Sequence, residues 1–134
     1  MIELFNALYT YAIADSNEFT TAIGGRLDFG QAKQGQGTPY SVYNGLPLIP
    51  VDTFDAKINE GTIQFNLFAD DFETAMQLAK KCLARFDGVT LTVSGHENVR
   101  LQRDLVTPPY KADIEPKTPW QSVVAFNFLI QETT

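Results

Sequence analysis

The stretch that most constrains the fold of this chain is Thr62–Gly88, which has the pattern of a β-strand followed directly by an α-helix. Apolar and polar residues alternate through its first part, as in a strand with one buried face. The apolar members of this alternation are Ile63, Phe65 and Leu67. Asp70 is then followed three residues later by Glu73, the spacing of a capping box, so Asp70 is predicted to be the N-cap of the helix.

Apolar residues recur at helical spacing after this cap, and they predict the buried stripe of the helix. The predicted stripe consists of Phe72, Ala75, Met76, Ala79, Leu83 and Phe86. Basic residues near the end of the segment suit the negative end of the helix dipole. Gly88 supplies the left-handed residue that commonly ends a helix. This unit predicts how the core is built, and it contains no chemistry.

Size and charge narrow the class of protein. A chain of 134 residues with 44% hydrophobic residues predicts one domain, 1–134, with a true core. The net charge of −6 argues against a nucleic-acid-binding module and against docking on anionic membranes. Cys82 is the one cysteine, so no internal disulfide is possible. No apolar run reaches the ~18 residues of a membrane span, and the N-terminus lacks the basic region of a signal peptide.

The N-terminal half predicts one helix and two short strands. Ile2–Ala14 is apolar around much of its circumference, so it is expected to pack against a sheet, with a neighbouring subunit as a second candidate contact. Arg26–Phe29 and Tyr40–Tyr43 have strand character. Glu18–Ile23 fits either a helical turn or extended structure, and the sequence leaves the two open.

Three extended loops are predicted, at residues 30–38, 44–61 and 107–119. The first is polar and punctuated by glycine, which indicates mobility. The second opens on Asn44-Gly45, a turn dipeptide, and is either an extended hairpin projecting from the body or a loop packed on its own core. The third holds four prolines and is expected to be an extended arm or a covering loop.

The C-terminal half predicts a hairpin and a closing strand. Val89–Val93 and Val99–Leu105 alternate on either side of a polar turn, as paired strands do. Trp120–Gln131 is apolar on both sides, which is typical of a central strand. The expected fold is α+β, with an antiparallel or mixed sheet of about six strands and two main helices packed on it.

Residues that could carry chemistry are few. His96 is the only histidine and lies in a polar turn, while Cys82 lies on or beside the apolar side of its helix. Helix capping explains the acidic residues Asp70, Asp71 and Glu73 more simply than a metal site does. We therefore expect no catalytic residue, no metal and no cofactor, and we expect that the protein is not an enzyme.

The order of these features resembles the tail-completion or tail-terminator proteins of long-tailed bacteriophages. The resemblance covers Ile2 to Gln131 and depends most on Arg26 with the polar loop after it, on Pro39–Tyr43, and on the strand–Asp–helix unit. It implies a small structural subunit that forms a hexameric ring. This ring would cap the tail tube, join tail to head at the neck, and let DNA pass through its lumen without specific binding.

The resemblance also implies partners and a location. The partners would be further copies of this chain, the tail tube protein and a head connector or head-closure protein, with no membrane involved. The protein would be part of the virion, in the tail or neck, and would be assembled in the host cytoplasm. The net charge is consistent with this role, because a negative lumen repels phosphate.

Two alternatives remain beside the tail terminator. One is a head-closure or connector adaptor protein of the same neck. The other is a small ligand-binding domain or enzyme, which a deep pocket ringed by Arg26, Asp52 and His96 would support.

The predicted loops also predict the contact residues. Gln31–Thr38 and Pro47–Glu60 are expected to make axial or lumen contacts, and Thr107–Pro119 is expected to embrace a neighbouring subunit. The predicted interface residues are Gln31, Lys33, Gln34, Gln36, Phe54, Lys57, Pro108, Pro109 and Tyr110.

Overall fold

A computed structural model of the chain describes residues 2–14, 17–31, 37–45, 48–52, 57–111 and 118–131. Within these ranges the chain forms helices α1 Ile2–Ile13, α2 Glu18–Ala22 and α3 Phe72–Phe86. The strands are β1 Leu27–Phe29, β2 Tyr40–Gly45, β3 Ile49–Pro50, β4 Ile58–Ala69, β5 Thr90–Leu91, β6 Val99–Arg100, β7 Gln102–Val106, β8 Tyr110–Lys111 and β9 Trp120–Gln131.

Seven strands form the main sheet. Its order is β1-β2-β4-β9-β7, with β3 also paired to β4 and β8 also paired to β9. β1 and β2 are parallel and the other pairs are antiparallel, so the sheet is mixed. β5 and β6 form a separate small sheet. The predicted α+β class, with two main helices packed on a mixed sheet, is confirmed.

The centre of the sheet is the antiparallel pair β4–β9. Its register runs from Ile58 opposite Gln131 to Ala69 opposite Trp120, along the full length of both strands. The prediction of a central strand at Trp120–Gln131 is confirmed, because β9 lies between β4 and β7. β4 begins four residues before the predicted start at Thr62.

The three helices cover one face of this sheet. The alternation predicted in β4 holds there, since Ile63, Phe65 and Leu67 are completely buried. The Phe65 ring lies 4.6 Å from the Phe86 ring of α3, centroid to centroid, and both pack near Phe126 of β9. Burying an aromatic side chain of this size contributes about 1.5–3 kcal/mol, so this cluster holds the helices on the sheet.

The start of α3 differs from the prediction by one residue. Asp71, rather than Asp70, is the N-cap, and its Oδ1 accepts a 2.7 Å hydrogen bond from the backbone N–H of Thr74. Asp70 instead accepts a hydrogen bond from the Thr38 hydroxyl. The predicted capping box fails, because the third residue after Asp71 is a threonine. Gly88 does take the left-handed conformation, with φ of +75°, as predicted.

The buried side of α3 is also rotated from the predicted stripe. The buried residues are Ala75, Leu78, Ala79, Cys82 and Phe86. Phe72 and Met76, predicted to be buried, are 44% and 49% exposed. The reason is α2, whose Phe19 packs edge-on against Phe86 and turns the Leu78 and Cys82 side of α3 inward.

Arg85 joins the end of α3 to the end of α1. Its Nη2 donates to the carbonyl oxygens of Tyr11 at 2.6 Å and Ala14 at 3.1 Å, and the guanidinium lies 4.0 Å above the Tyr11 ring. The Tyr11 hydroxyl donates in return to the Arg85 carbonyl. A cation at the C-terminal end of α1 complements its dipole. These contacts hold α1 in place with its Leu4 and Leu8 side buried.

The predicted turn at Asn44-Gly45 is wrong, because both residues continue β2 and pair with Gln64 and Ile63 of β4. Glycine at this position leaves room for the Phe5 ring. A Cβ at Gly45 would lie 2.7 Å from Cζ of Phe5, so the ring or the backbone would have to shift.

One of the two open questions in this half is decided. Glu18–Ile23 begins with helix α2. Beyond β2, β3 pairs antiparallel with β4, but residues 46–47 and 53–56 lie outside the described ranges, so the choice between a projecting hairpin and a packed loop stays open. Most of the polar loop, 32–36, also lies outside them, so its predicted mobility stays a prediction.

The predicted hairpin of the C-terminal half forms only in part. β5 and β6 pair, with Leu91 opposite Val99. β7 then leaves this hairpin and pairs with β9, with a bulge between Arg103 and Leu105. The predicted arm at 107–119 contains β8, which extends the same edge, and residues 112–117 lie outside the described chain.

Candidate interaction surfaces

Cys82 and His96, the two side chains considered for chemistry, lie in different surroundings. Burial raises the pKa of the Cys82 thiol well above its usual value, which disfavours the thiolate that a nucleophile needs. His96 lies in the turn between β5 and β6, where Nδ1 is 2.8 Å from the Ser94 carbonyl oxygen. Among the residues that the structure describes, no group of three or more His, Cys, Asp or Glu side chains could hold a metal ion.

The three residues expected to ring a ligand pocket lie on separate parts of the fold. Arg26, just before β1, donates through Nε to the Pro39 carbonyl at 2.9 Å. Asp52 follows β3 and accepts from the backbone N–H of Ile58. His96 lies in the turn between β5 and β6 of the small sheet.

In the described part of the chain, no helix is long and apolar enough to span a bilayer.

The first notable surface is an apolar groove of about 430 Å³ between α3 and the chain that leaves β7. We name it the α3 groove. Its lining residues are Phe72, Met76, Ala79, Lys80, Leu83, Val106, Thr107, Pro108 and Pro109. Lys80 is the only charged residue among these nine, so the surface offered by the groove is almost wholly apolar.

Hydrogen bonds hold the walls of the α3 groove in place. The backbone N–H of Thr107 donates to the Val123 carbonyl oxygen, and the Thr107 carbonyl oxygen accepts from the Ser122 hydroxyl, both at 2.9 Å. On the helix side, Phe72 packs edge-on against Trp120, with 5.4 Å between ring centroids. The groove is therefore formed by anchored elements, which is the condition for a preorganised binding surface.

The second notable surface lies on α1 and β1. Ile2, Tyr9 and Ile13 are exposed and lie along one side of α1, next to its buried side. Ile2 is 69% exposed, and Phe29 of β1 is 55% exposed. Phe5 lies between this side and the buried side of α1, and its ring is 4.6 Å from the Phe29 ring. We name Ile2, Tyr9, Ile13 and Phe29 the α1 stripe.

The third surface is the face of the sheet that the helices leave uncovered. Half-buried polar side chains form a row there, in which Asn66 Oδ1 accepts hydrogen bonds from both Gln64 and Gln121 at 3.2 Å. Thr62 donates similarly to Asn127 at 3.0 Å. These amide and hydroxyl groups are uncharged, and they satisfy one another across the central strands.

The predicted interface residues fall into separate places. Pro108 and Pro109 line the α3 groove, and the exposed Tyr110 follows them in β8. Gln31 follows β1 at the opposite edge of the sheet, and Lys57 precedes β4, both exposed. The remaining four, Lys33, Gln34, Gln36 and Phe54, lie outside the described residues.

Sequence reasoning missed Phe72 and Met76 as surface residues, because both fitted the predicted core stripe of α3. A signal did exist. Apolar residues cover a wider arc of this helix than one sheet can bury, as Leu78 and Cys82 complete the arc on the other side.

Comparisons with known proteins show the fold. The sequence matches no protein-family model and no curated protein. Fourteen chains of solved structures match it. One of them belongs to the virion of a native gene transfer agent particle. That chain superposes with a TM-score of 0.72 at 16% sequence identity, and the match covers 96% of this chain and 94% of that one. The two chains share their fold over nearly their whole lengths.

Proposed function

We propose that this protein is a structural subunit of a virion and that it acts at the neck of the particle. In this proposal, copies of the chain form a hexameric ring that caps the tail tube and joins the tail to the head. The observation that carries the proposal is the fold that this chain shares, over 96% of its length, with a chain of a gene transfer agent virion. The neck position comes from the resemblance to tail-terminator proteins described above.

The surfaces of the subunit support a role in assembly. The α3 groove and the α1 stripe leave large apolar side chains exposed, and patches of this kind are typical of protein–protein contact sites. The overall charge of −6 suits a ring through which DNA slides, because a negative wall does not retain phosphate. The partners of such a ring are further copies of the chain, the tail tube protein and a head connector protein.

Electron microscopy of particles made without this protein tests the proposal most directly. We expect overlong tails, or tails without heads, since the cap that ends the tube and receives the head is missing. Restoring the protein in trans should return normal particles. Virions that mature normally without it would refute the proposal.

Cross-linking in assembled particles tests the neck position. We expect cross-links to the tail tube protein. Cross-links only to proteins on the head side would instead favour the head-closure or connector adaptor.

Replacing residues 31–36 with a glycine–serine segment of the same length tests the predicted contact loop. The length is kept because β1 and β2 are parallel, so the chain must return along the strands between them. The replacement should leave the melting temperature nearly unchanged and impair the joining of tails to heads, because the loop is predicted to make contacts and not to form the core. Normal infectivity with the altered protein would remove this loop from the interface.

A further inference from the structure

We propose that the α3 groove of one copy receives the α1 stripe of a second copy, so that the chain associates head to tail through two different surfaces. This proposal rests on the proposed function, because it names the surfaces through which the ring would form. Four observations carry it: the positions of the two surfaces in the sheet, their apolar character, the more basic charge of the groove, and the anchoring of both.

The two surfaces lie at opposite edges of the same sheet. β1 is the first strand in the order β1-β2-β4-β9-β7, and it carries Phe29 of the α1 stripe. β7 is the last strand in that order, and the chain leaving it forms one wall of the α3 groove. Both surfaces belong to the side of the sheet that the helices cover. A second copy displaced along the direction of strand order can therefore bring its α1 stripe to the α3 groove of the first.

The shapes and polarity of the two surfaces are complementary. The stripe presents Ile2, Tyr9 and Ile13 along one side of a helix, the arrangement by which amphipathic helices occupy apolar grooves. The groove is concave, holds about 430 Å³, and has lysine as its only charged lining residue. Association would remove both apolar surfaces from water, and each square ångström removed contributes roughly 25 cal/mol.

Charge also differs between the two surfaces. Lys80 lines the groove, and the adjoining β7 and β8 carry Arg103, Asp104 and Lys111. α1 and β1 carry Glu3 and Asp28, with Arg26 directly before β1 and Arg85 bound at the end of α1. The groove is therefore the more basic of the two surfaces, which disfavours contact between two grooves and favours contact between unlike surfaces.

Hydrogen bonds within the subunit fix the positions of both surfaces. Arg85 fixes the end of α1 through its hydrogen bonds to the Tyr11 and Ala14 carbonyls. Thr107 fixes the opposite wall through β9. Because neither surface must become ordered on association, little conformational entropy opposes the contact. Contacts between two different surfaces of identical subunits give rings when the rotation closes.

Two charge insertions with matched controls test the interface. Met76→Glu places a carboxylate in the groove, and Gln77→Glu places the same charge on the next, outward residue of α3. Tyr9→Glu places a carboxylate in the α1 stripe. Thr10→Glu, on the next residue of α1, is its control. All four side chains are exposed, so we expect each variant to keep the wild-type circular dichroism spectrum and melting behaviour. In sedimentation velocity, Met76→Glu and Tyr9→Glu should weaken self-association about tenfold or more, while the controls behave as wild type.

Mixing the two disrupted variants decides between head-to-tail and symmetric contact. Each variant keeps one intact surface, so an equimolar mixture of Met76→Glu and Tyr9→Glu should form dimers that do not grow further. A symmetric interface predicts the reverse, with dimers formed by one variant alone and no gain on mixing. That result would overturn the proposal.

A cysteine pair provides a second readout. Since the native Cys82 is buried, the single variants Met76→Cys and Tyr9→Cys introduce the only exposed thiols of the described chain. Oxidising the two variants together should give a disulfide-linked heterodimer in greater yield than either homodimer. Equal yields of all three species, or wild-type protein that stays monomeric throughout, would overturn the proposal.

The outcomes separate this inference from the proposed function. If all variants form rings and join tails as wild type does, the interface is wrong and the role in the neck stands. If self-association follows the predicted pattern but virions mature without the protein, the interface stands and the role in the neck falls.

Discussion

The two sides of strand β4 use alternate residues of one sequence and are stabilised in different ways. On the helix-covered side, Ile63, Phe65 and Leu67 are excluded from water and fill a fixed volume among aromatic rings. On the uncovered side, Gln64 and Asn66 are half-buried and exchange amide hydrogen bonds with each other and with β9. Removing a methyl group from the packed side leaves a cavity and lowers the free energy of unfolding. Removing one amide near water costs little, because water can replace the lost hydrogen bond.

The difference shows on which side of the sheet stability is sensitive to substitution and on which side substitution is tolerated. The covered side specifies one structure, and the uncovered side with the sheet edges is available for contact with other molecules. Substitutions at four positions test that division, beginning with the one expected to have the largest effect.

Phe65→Ala should be the most damaging. The ring of Phe65 lies within 6.1 Å, centroid to centroid, of the rings of Phe19, Tyr43, Phe86 and Phe126. Removing it leaves a cavity at the centre of the core, so we expect a loss of about 3–5 kcal/mol in the free energy of unfolding, measured by urea denaturation. Phe68→Ala is the matched control on the uncovered side, where Phe68 stacks on Tyr40. Equal losses from both would break the comparison between the two sides.

Gly61→Ala tests the covered side by adding atoms. A Cβ at this buried position would lie 2.7 Å from Cδ2 of Leu48 and closer still to Cζ of Phe128. Overpacking of this kind costs about 1–3 kcal/mol, which the same denaturation measurement would detect. Gly37→Ala, at a position where a Cβ meets nothing, should leave stability nearly unchanged. If Gly61→Ala leaves the free energy of unfolding unchanged, the covered side can accommodate an extra methyl group and is not packed as tightly as we conclude.

Asp71 tests how α3 is held over the covered side. Hydrogen bonds from the backbone and side chain of Thr74 lower the pKa of Asp71 in the folded chain. A lowered folded pKa contributes stability that is present above the ordinary value for aspartate, about 3.9, and is lost as the pH falls through the folded pKa. Asp71→Ala should therefore reduce stability at neutral pH, by less than either core substitution.

Asp71→Asn separates the cap from its charge. Asparagine caps helices as well as aspartate does, so this variant should keep most of the neutral-pH stability and lose the acid-dependent part. Denaturation at neutral pH and below pH about 4 measures both. An Asn variant with the acid sensitivity of wild type would assign that sensitivity to another carboxyl group.

Gln64→Thr should have the smallest effect. It removes one half-buried amide that donates to Asn66 and replaces it with a residue that favours strands. We expect the free energy of unfolding to change by no more than about 0.5 kcal/mol. A loss comparable to that of Gly61→Ala would show that the amide row is as important as the core.

The centre of the fold could be predicted because local pattern and long-range packing agree there. Trp120–Gln131 was predicted with the bounds that β9 has, and the alternation of Ile63, Phe65 and Leu67 predicts the buried side of β4. The alternation of apolar and polar residues specifies the register of the strand, because a shift of one residue in pairing would turn the apolar side chains toward water.

The errors occur where a distant contact decides between two local possibilities. Asp70 and Asp71 can each cap a helix, and it is the Thr38 hydroxyl, 32 residues before Asp70, that engages Asp70. Asn44 and Gly45 favour a turn, but pairing with β4 keeps them extended, and the Phe5 ring lies where a Cβ at Gly45 would be. No window of sequence around these residues contains that information.

The α3 groove combines residues that the sequence analysis treats differently. Pro108 and Pro109, predicted as interface residues, line one wall of the groove, and their contact with a partner stays a prediction. The other wall, Phe72 and Met76, was assigned to the core. Helical spacing shows which residues of a helix are apolar together, and it does not show whether a sheet or another molecule covers them.

The order of strands in the sheet has a consequence for how the protein is made. β4 and β7 are separated in space by β9, which follows both in the chain. During translation, β4 and β7 must wait for residues 120–131 to leave the ribosome before either gains this partner. Until then β4 can pair only with β2 and β3, and β7 has no partner in the main sheet, so unpaired strand edges that favour aggregation stay exposed. Folding of the sheet is therefore completed only after most of the described chain has been synthesised.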